Sequence, residues 1–248
     1  MSSPAAVAPD RIDAVVFDMG GVLVVPAPEP VAAIVRAAGI AFELEAVAAR
    51  LAHYSGVAAI SASLSDHPVS EADSSVWEAN DAAYFGSAGL AGELLRSATV
   101  ARHCARVSGD STAIWTHVLE ENRDAFHEIA EARPVAVVTN NNGTAIEQCR
   151  DLGLCQVGPG ALPAVAAIVD SGVLGIAKPD PRIFAPALEA LGTDAARTLY
   201  VGDTVHADVR GAAAAGMPVV QLDPFDLHTA HAHWRLPDVV ALADHLAS

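Results

Sequence analysis

Three carboxylates stand where apolar runs stop: Asp18 closes DAVVFD, Asp203 closes RTLYVGD, and Asp208 follows in GDTVHAD. Thr139 and Asn140 close a third run, PVAVVTN, and Lys178 stands before the prolines of KPDPRIF. Carboxylates that gather raise one another's pKa, so such a set calls for a cation or a lysine beside it. Each residue alone has a plainer reading. A strand-end Asp often caps a helix or forms a turn; Thr139 could cap the helix after NNNG; Lys178 and Asp208 could be ordinary solvated residues. What lifts them above that is their shared placement at the ends of strands.

The runs DAVVFD (13–18), PVAVVTN (134–140), RTLYVGD (197–203), MPVVQLD (217–223) and AAIVDS (166–171) are short, apolar and β-branched, as for strands buried on both faces. Helical patterns separate them. THVLEENRDAFHEIAEA stops before Pro134, GTAIEQCRDLG ends on Gly153, DPRIFAPALEALG opens with Pro181 and closes on Gly192, and LPDVVALADHLAS ends the sequence. Alternating strands and helices predict a doubly wound parallel sheet, a Rossmann-like α/β core. Ligands bind such sheets beyond the carboxyl ends of the strands, where strand order reverses. That rule alone brings Asp18, Thr139, Asn140 and Asp203 together. The first strand has no close partner in sequence, and the text between is alanine-rich and helical. The expected organisation is therefore a flexible lead over 1–10, a core from 11–25 and 112–248, and a helical insertion over 26–111 serving as a cap.

Composition narrows the function. Over 248 residues the chain is 52% hydrophobic and carries a net charge of −16, with 14 Lys plus Arg. Such a surface repels phosphate backbones and anionic lipid, which argues against nucleic acid and membrane partners. The run at 157–177 is long enough to span a bilayer, but Asp170 and repeated Gly and Pro interrupt it. The start, MSSPAAVAPD, lacks the basic and apolar regions of a signal peptide. Cys104, Cys149 and Cys155 form neither a metal spacing nor an even disulfide set, which reads as reduced thiols in the cytoplasm. The histidines of DLHTAHAHW (His228, His231, His233) fit no tetrahedral set and are read as surface loop residues. Trp77, Tyr84 and Phe85 are read as core packing in the insertion. Oligomeric state has no signature in the sequence.

Taken in order, FDMGGVL, VTNNNG, KPDPRIF and VGDTVHADVRGAAAAGM resemble the four motifs of the haloacid dehalogenase (HAD) superfamily of hydrolases. The resemblance covers the core and implies a phosphatase-like branch with a helical cap. It implies Asp18 as the nucleophile that becomes an aspartyl phosphate, with Thr139 and the backbone N–H of Asn140 on the phosphoryl oxygens. Lys178 would neutralise charge over the nucleophile. Mg²⁺ would be held by Asp18, the Gly20 carbonyl and Asp203, with Asp208 in support. The physics agrees: a carboxylate and a phosphate at ~4 Å repel by several kcal/mol at intermediate dielectric, and a divalent cation plus a lysine removes that obstacle. Gly20 and Gly21 permit the sharp turn such a carbonyl ligand needs. The implied substrate is a small phosphorylated metabolite, enclosed by the cap.

One position departs from the pattern. Most phosphatases of the superfamily carry a second Asp two residues after the nucleophile, as general acid and base, and here that position is Gly20. Losing a general acid costs about 10²–10⁴ in rate. Either the leaving group needs little protonation, or the insertion supplies a substitute (Glu29, His53, His67, Glu71 and Glu78 are candidates), or the site mainly binds. A 2-haloacid dehalogenase is the rival enzyme, since it too lacks the second Asp; it would need an arginine near the site, and Arg36, Arg50, Arg96, Arg102 and Arg106 are those of the insertion. A regulatory binding protein that keeps the fold is the rival outside enzymes.

Overall fold

A computed structural model of the chain describes residues 6–63, 74–107, 114–228 and 232–248. His67, Glu71, His231 and the expected cap boundary at 111/112 lie outside the described residues. In chain order the strands are β1 (Ala14–Phe17), β2 (Val24–Val25), β3 (His117–Val118), β4 (Val135–Thr139), β5 (Gln156–Val157), β6 (Ala164–Val165), β7 (Ile168–Asp170), β8 (Thr198–Gly202), β9 (Val219–Leu222) and β10 (Arg235–Leu236). The helices are α1 (Pro28–Ala37), α2 (Ala46–Ser63), α3 (Ser74–Ser87), α4 (Gly92–Val107), α5 (Glu120–Ala132), α6 (Ala145–Asp151), α7 (Ser171–Leu174), α8 (Ala185–Leu191), α9 (Arg210–Ala214) and α10 (Val239–Leu246). The chain divides into two compact units, residues 1–23 with 118–248 and residues 24–117.

The first unit is built on a six-stranded sheet in the order β10-β9-β8-β1-β4-β7, all of its pairs parallel. β1 lies between β4 and β8, so strand order reverses on either side of it, the place where doubly wound sheets bind ligands. Side chains alternate faces along a strand. Val16 of β1 joins Ala136, Val138, Tyr200, Phe184 and Ala187 in one buried cluster, under α8. Phe17, its neighbour, meets Phe126 of α5 edge-on at 5.0 Å. Helices thus cover both faces, and no alternation of polar residues survives in the central strands.

All five predicted strands are present. Three local readings are corrected. His117–Val118 form a strand, and the helix read from Thr116 begins at Glu120; its first acidic residues, Glu120 and Glu121, suit a helix N-terminus. A sixth core strand, β10, went unpredicted because two residues carry no pattern. Asp208, allowed above as a solvated residue, has no exposed surface at all.

In the second unit, α1–α4 pack around Val31, Val35, Phe42, Ala52, Phe85 and Ala98. Tyr84 and Phe85 are buried there, as expected of core residues. Of the candidate substitute acids, Glu29 is exposed and paired with Arg36. His53 is buried, its ring 5.0 Å from Tyr54 and 5.5 Å from Trp115. Glu78 faces solvent.

Candidate active site

Asp18 follows β1 directly, and its backbone N–H donates to the Val201 carbonyl at 2.8 Å, extending the strand ladder by one step. The carboxyl therefore emerges at the sheet's rim between β4 and β8. Gly21 then takes φ +69°, a conformation that favours glycine, and turns the chain away. Gly20 is half-buried beside it. Asp203 follows β8 and is 2% exposed. Asp18, Asp203 and Asp208 each bring an oxygen within 4.8 Å of the others, all three buried.

Lys178 lies at the centre. Its Nζ is 2.9 Å from Asp18 Oδ1 and 2.7 Å from Asp208 Oδ1, and it donates to the Tyr200 hydroxyl at 3.0 Å. Asp208 is the most committed acid. Tyr200 donates to its Oδ1 at 2.8 Å, while Oδ2 accepts from the N–H groups of Asp203 (3.2 Å) and Thr204 (2.9 Å) and from the Thr204 hydroxyl (2.6 Å). Gly202 makes this possible: a Cβ there would lie 2.4 Å from Asp208 Cβ and Cγ. The glycine before Asp203 is thus needed for the acid that follows it.

Asn140 has a role the sequence did not disclose. Its side-chain Oδ1 accepts from the Lys178 N–H at 2.8 Å and its Nδ2 donates to the Lys178 carbonyl at 3.2 Å. Thr139, the last residue of β4, is 3% exposed. The loop after it is held by Asp170 at the end of β7, which accepts from the N–H groups of Gly143 (3.0 Å), Ala145 (3.0 Å) and Gly172 (2.8 Å). Behind Asp203, the buried Gln221 donates to its carbonyl at 2.7 Å, and His233 meets Gln221 Oε1 at 2.5 Å. His228, expected on the surface, is instead buried with its Nδ1 3.4 Å from Asp223. Loop histidines read as exposed only until a strand-end acid buries one.

The electrostatics follow from this crowding. Burial pushes the Asp18 carboxyl up to about 8; Lys178 opposes the shift, while Asp208 and Asp203 add to it. Asp208 is equally buried, yet Lys178 and the Thr204 donors hold it below the usual carboxylate range. For Lys178, burial favours the neutral amine, but Asp18 and Asp208 outweigh it and raise the pKa. Burial also drives the Tyr200 hydroxyl well above its usual value, so it remains a donor. Tyr200 is the member of the cluster the sequence missed: in RTLYVGD it reads as core, and only its polar tip at the end of a buried ring hinted otherwise. Replacing Tyr200 by Phe should cost about 1–3 kcal/mol in a urea titration, because Asp208 loses a buried donor.

Three buried carboxyl groups around one ammonium make a site of hard oxygen donors, which suits a divalent cation of the magnesium type. With both Asp208 oxygens occupied, Asp18 and Asp203 are the better placed ligands.

The family of haloacid dehalogenase-like hydrolases matches residues 12–216, which include Asp18, Thr139, Asn140, Lys178, Tyr200, Asp203 and Asp208. The chain belongs to that family. It is a HAD hydrolase with an α/β fold. Among curated relatives, it is 38% identical over 100 residues to a phosphoserine phosphatase of Thermus thermophilus, across 40% of this chain and 39% of that one. It is 42% identical over 55 residues to a glyceraldehyde 3-phosphate phosphatase of Methanopyrus kandleri, across 22% of this chain and 24% of that one. The matches thus span about two fifths and about a quarter of those relatives. Among solved structures, the HAD-hydrolase YfnB of Bacillus subtilis bound to magnesium has a TM-score of 0.58 at 18% identity, over 96% of this chain and 100% of that one. The 2-haloacid dehalogenase of Pseudomonas syringae pv. Tomato DC3000 has a TM-score of 0.53 at 22% identity, over 95% of this chain and 98% of that one. At these identities the likeness is one of fold. No helix among the described residues is long and apolar enough to cross a membrane.

Proposed function

We infer that this HAD hydrolase is a Mg²⁺-dependent phosphatase of a small phosphorylated metabolite. The observation that carries the reading is Lys178 Nζ held between Asp18 and Asp208, at 2.9 and 2.7 Å, inside a set of three buried carboxylates. An ammonium fixed against the reacting carboxyl is what an incoming phosphoryl group needs. The phosphatase names of the curated relatives lend support.

In this reading Asp18 attacks phosphorus, its Oδ–P bond forming as the P–O bond to the leaving alcohol breaks, and an aspartyl phosphate results. The Thr139 hydroxyl and the Asn140 backbone N–H donate to the phosphoryl oxygens. Lys178 offsets the charge gathering on them, and Asp208 with Tyr200 keeps the ammonium in place. A bound Mg²⁺, held by Asp18, Asp203 and the Gly20 carbonyl, would supply the charge neutralisation that lets two anions meet. Water then attacks phosphorus and releases Asp18. The helical unit, residues 24–117, serves as the cap of the family. The cytoplasm is the setting that three cysteines without a disulfide or metal spacing suggest.

A panel of phosphate esters with and without Mg²⁺ tests the reading. Phosphate release that EDTA abolishes and Mg²⁺ restores is expected. Chloride release from 2-chloropropionate without any metal would instead assign the chain to dehalogenation, and inertness towards every ester would leave it a binding protein. Gly20 predicts the leaving groups: aryl phosphates should react far better than alkyl phosphates. Gly20→Asp should narrow that ratio of kcat/KM by about 10²-fold or more, the usual worth of a general acid.

A further inference from the structure

The helical unit carries a second charged cluster in a place where packing alone would put apolar residues. Asp81 on α3 is 1% exposed and Arg102 on α4 is 5% exposed. Arg106, one turn further along α4, donates Nη2 to Asp81 Oδ1 at 2.8 Å and lies over the Trp77 ring at 4.6 Å. Asn80 Nδ2 donates to the same oxygen at 3.1 Å. Arg102 stands over the Tyr84 ring, its Cζ 5.7 Å from the centroid.

Among the described residues, much of this cluster's hydrogen-bonding capacity finds no partner. Arg102 Nε and Nη1, Arg106 Nη1, the Tyr84 hydroxyl and Asp81 Oδ2 are all buried and without a hydrogen bond. A buried guanidinium is costly unless paired and bonded, and arginine keeps its proton in proteins. Burial lowers the Arg102 pKa, with Asp81 and Tyr84 working against that. Burial also pushes Tyr84 up to about 12, so its hydroxyl is a donor at neutral pH. Among the described residues of the cluster, two guanidinium groups against one carboxylate leave one positive charge, in a chain whose net charge is −16. Ordinary structural ion pairs come closer to balance, and a core that needed only filling would use leucine or methionine at 102.

The chemistry of the unused groups specifies a complement. Guanidinium N–H groups and a phenol hydroxyl ask for anionic oxygens, while the single Asp81 oxygen asks for a donor. One excess positive charge matches a monoanion; a phosphate dianion would exceed it and bring only acceptors to Asp81. We propose that Arg102, Arg106, Tyr84 and Asp81 form a binding site for a small carboxylate that bears a neighbouring hydroxyl or amino group. The acid is a free metabolite. The site lies wholly within the helical unit and stands whatever Asp18 does.

The test is direct titration of the intact protein with glycolate and with acetate, which differ by one hydroxyl, followed by tryptophan fluorescence and by calorimetry. Glycolate should bind saturably and about tenfold more tightly than acetate, one hydrogen bond's worth. Arg102→Met should lose glycolate by at least about tenfold. Asp81→Asn should bring glycolate and acetate within about twofold of each other. Tyr84→Phe, which keeps the ring in the core, should weaken both acids and so serves if Arg102→Met does not fold. Absence of saturable binding by either acid to the wild type, or unchanged glycolate affinity in Arg102→Met and Tyr84→Phe, overturns the proposal.

Discussion

Asp18→Asn should abolish phosphate release and, in the absence of divalent metal, yield a protein more stable than the wild type. The first half follows from the role assigned above. An amide oxygen lacks the carboxylate's negative charge and is a far weaker nucleophile towards phosphorus, and loss of a covalent nucleophile lowers turnover by about 10⁴-fold or more. The second half follows from burial. The Asp18 carboxyl has its pKa raised from 3.8 to about 8, by burial first and by Asp208 and Asp203 after it. The folded protein therefore binds a proton that the unfolded chain releases. This contribution to stability is fully present below pH 3.8 and is lost as pH rises towards about 8. Asparagine fills the same space and has no proton to lose. Urea titrations in EDTA should show the variant's advantage growing from mildly acidic pH to about 8 and then levelling. Saturating Mg²⁺ should stabilise the wild type far more than the variant. A wild-type rate in Asp18→Asn removes the nucleophile assignment, and a variant less stable than the wild type at every pH removes the electrostatic one.

Lys178→Met should have the opposite signature, losing both activity and stability. Methionine matches the stem of lysine but carries no charge, so Asp18, Asp203 and Asp208 would face one another without their ammonium. Breaking a buried ion pair by removing one partner costs about 3–5 kcal/mol. Turnover should fall by about 10²–10³ through the lost stabilisation of phosphoryl charge. The pH dependence separates charge from packing. A packing defect is indifferent to pH, whereas uncompensated carboxylates recover as they protonate, so the stability gap should narrow in acid. Mg²⁺ should also recover part of it. Denaturant midpoints in neutral and acidic buffer, with and without the metal, read both effects. A gap that is the same at every pH would show that Lys178 matters here for its bulk alone.

The positions of the site were legible because a parallel sheet writes its ligand edge into the sequence. FDMGG, VTNNNG and VGDT each end an apolar run on a polar residue, and the fold does the rest. What was hidden lies in side chains whose role depends on a partner distant in sequence. Tyr200 reads as core until Lys178 and Asp208 are beside its hydroxyl. Asn140 was expected to offer only its backbone N–H, and its amide turns out to be occupied with Lys178. Arg102 and Arg106 were visible as two of the insertion's arginines, but nothing in their spacing points to Asp81, which sits on another helix. Short strands such as β3 and β10, with two residues each, lack the length for any pattern to show.

The two hydrogen bonds between the Asn140 amide and the Lys178 backbone have a mechanical consequence. They splice the segment leaving β4 to the segment that carries the ammonium, so neither can drift without dragging the other. The end of β4 and the lysine's backbone are thereby yoked into one moving part. A change at 140 should loosen the lysine before it loosens anything the lysine touches.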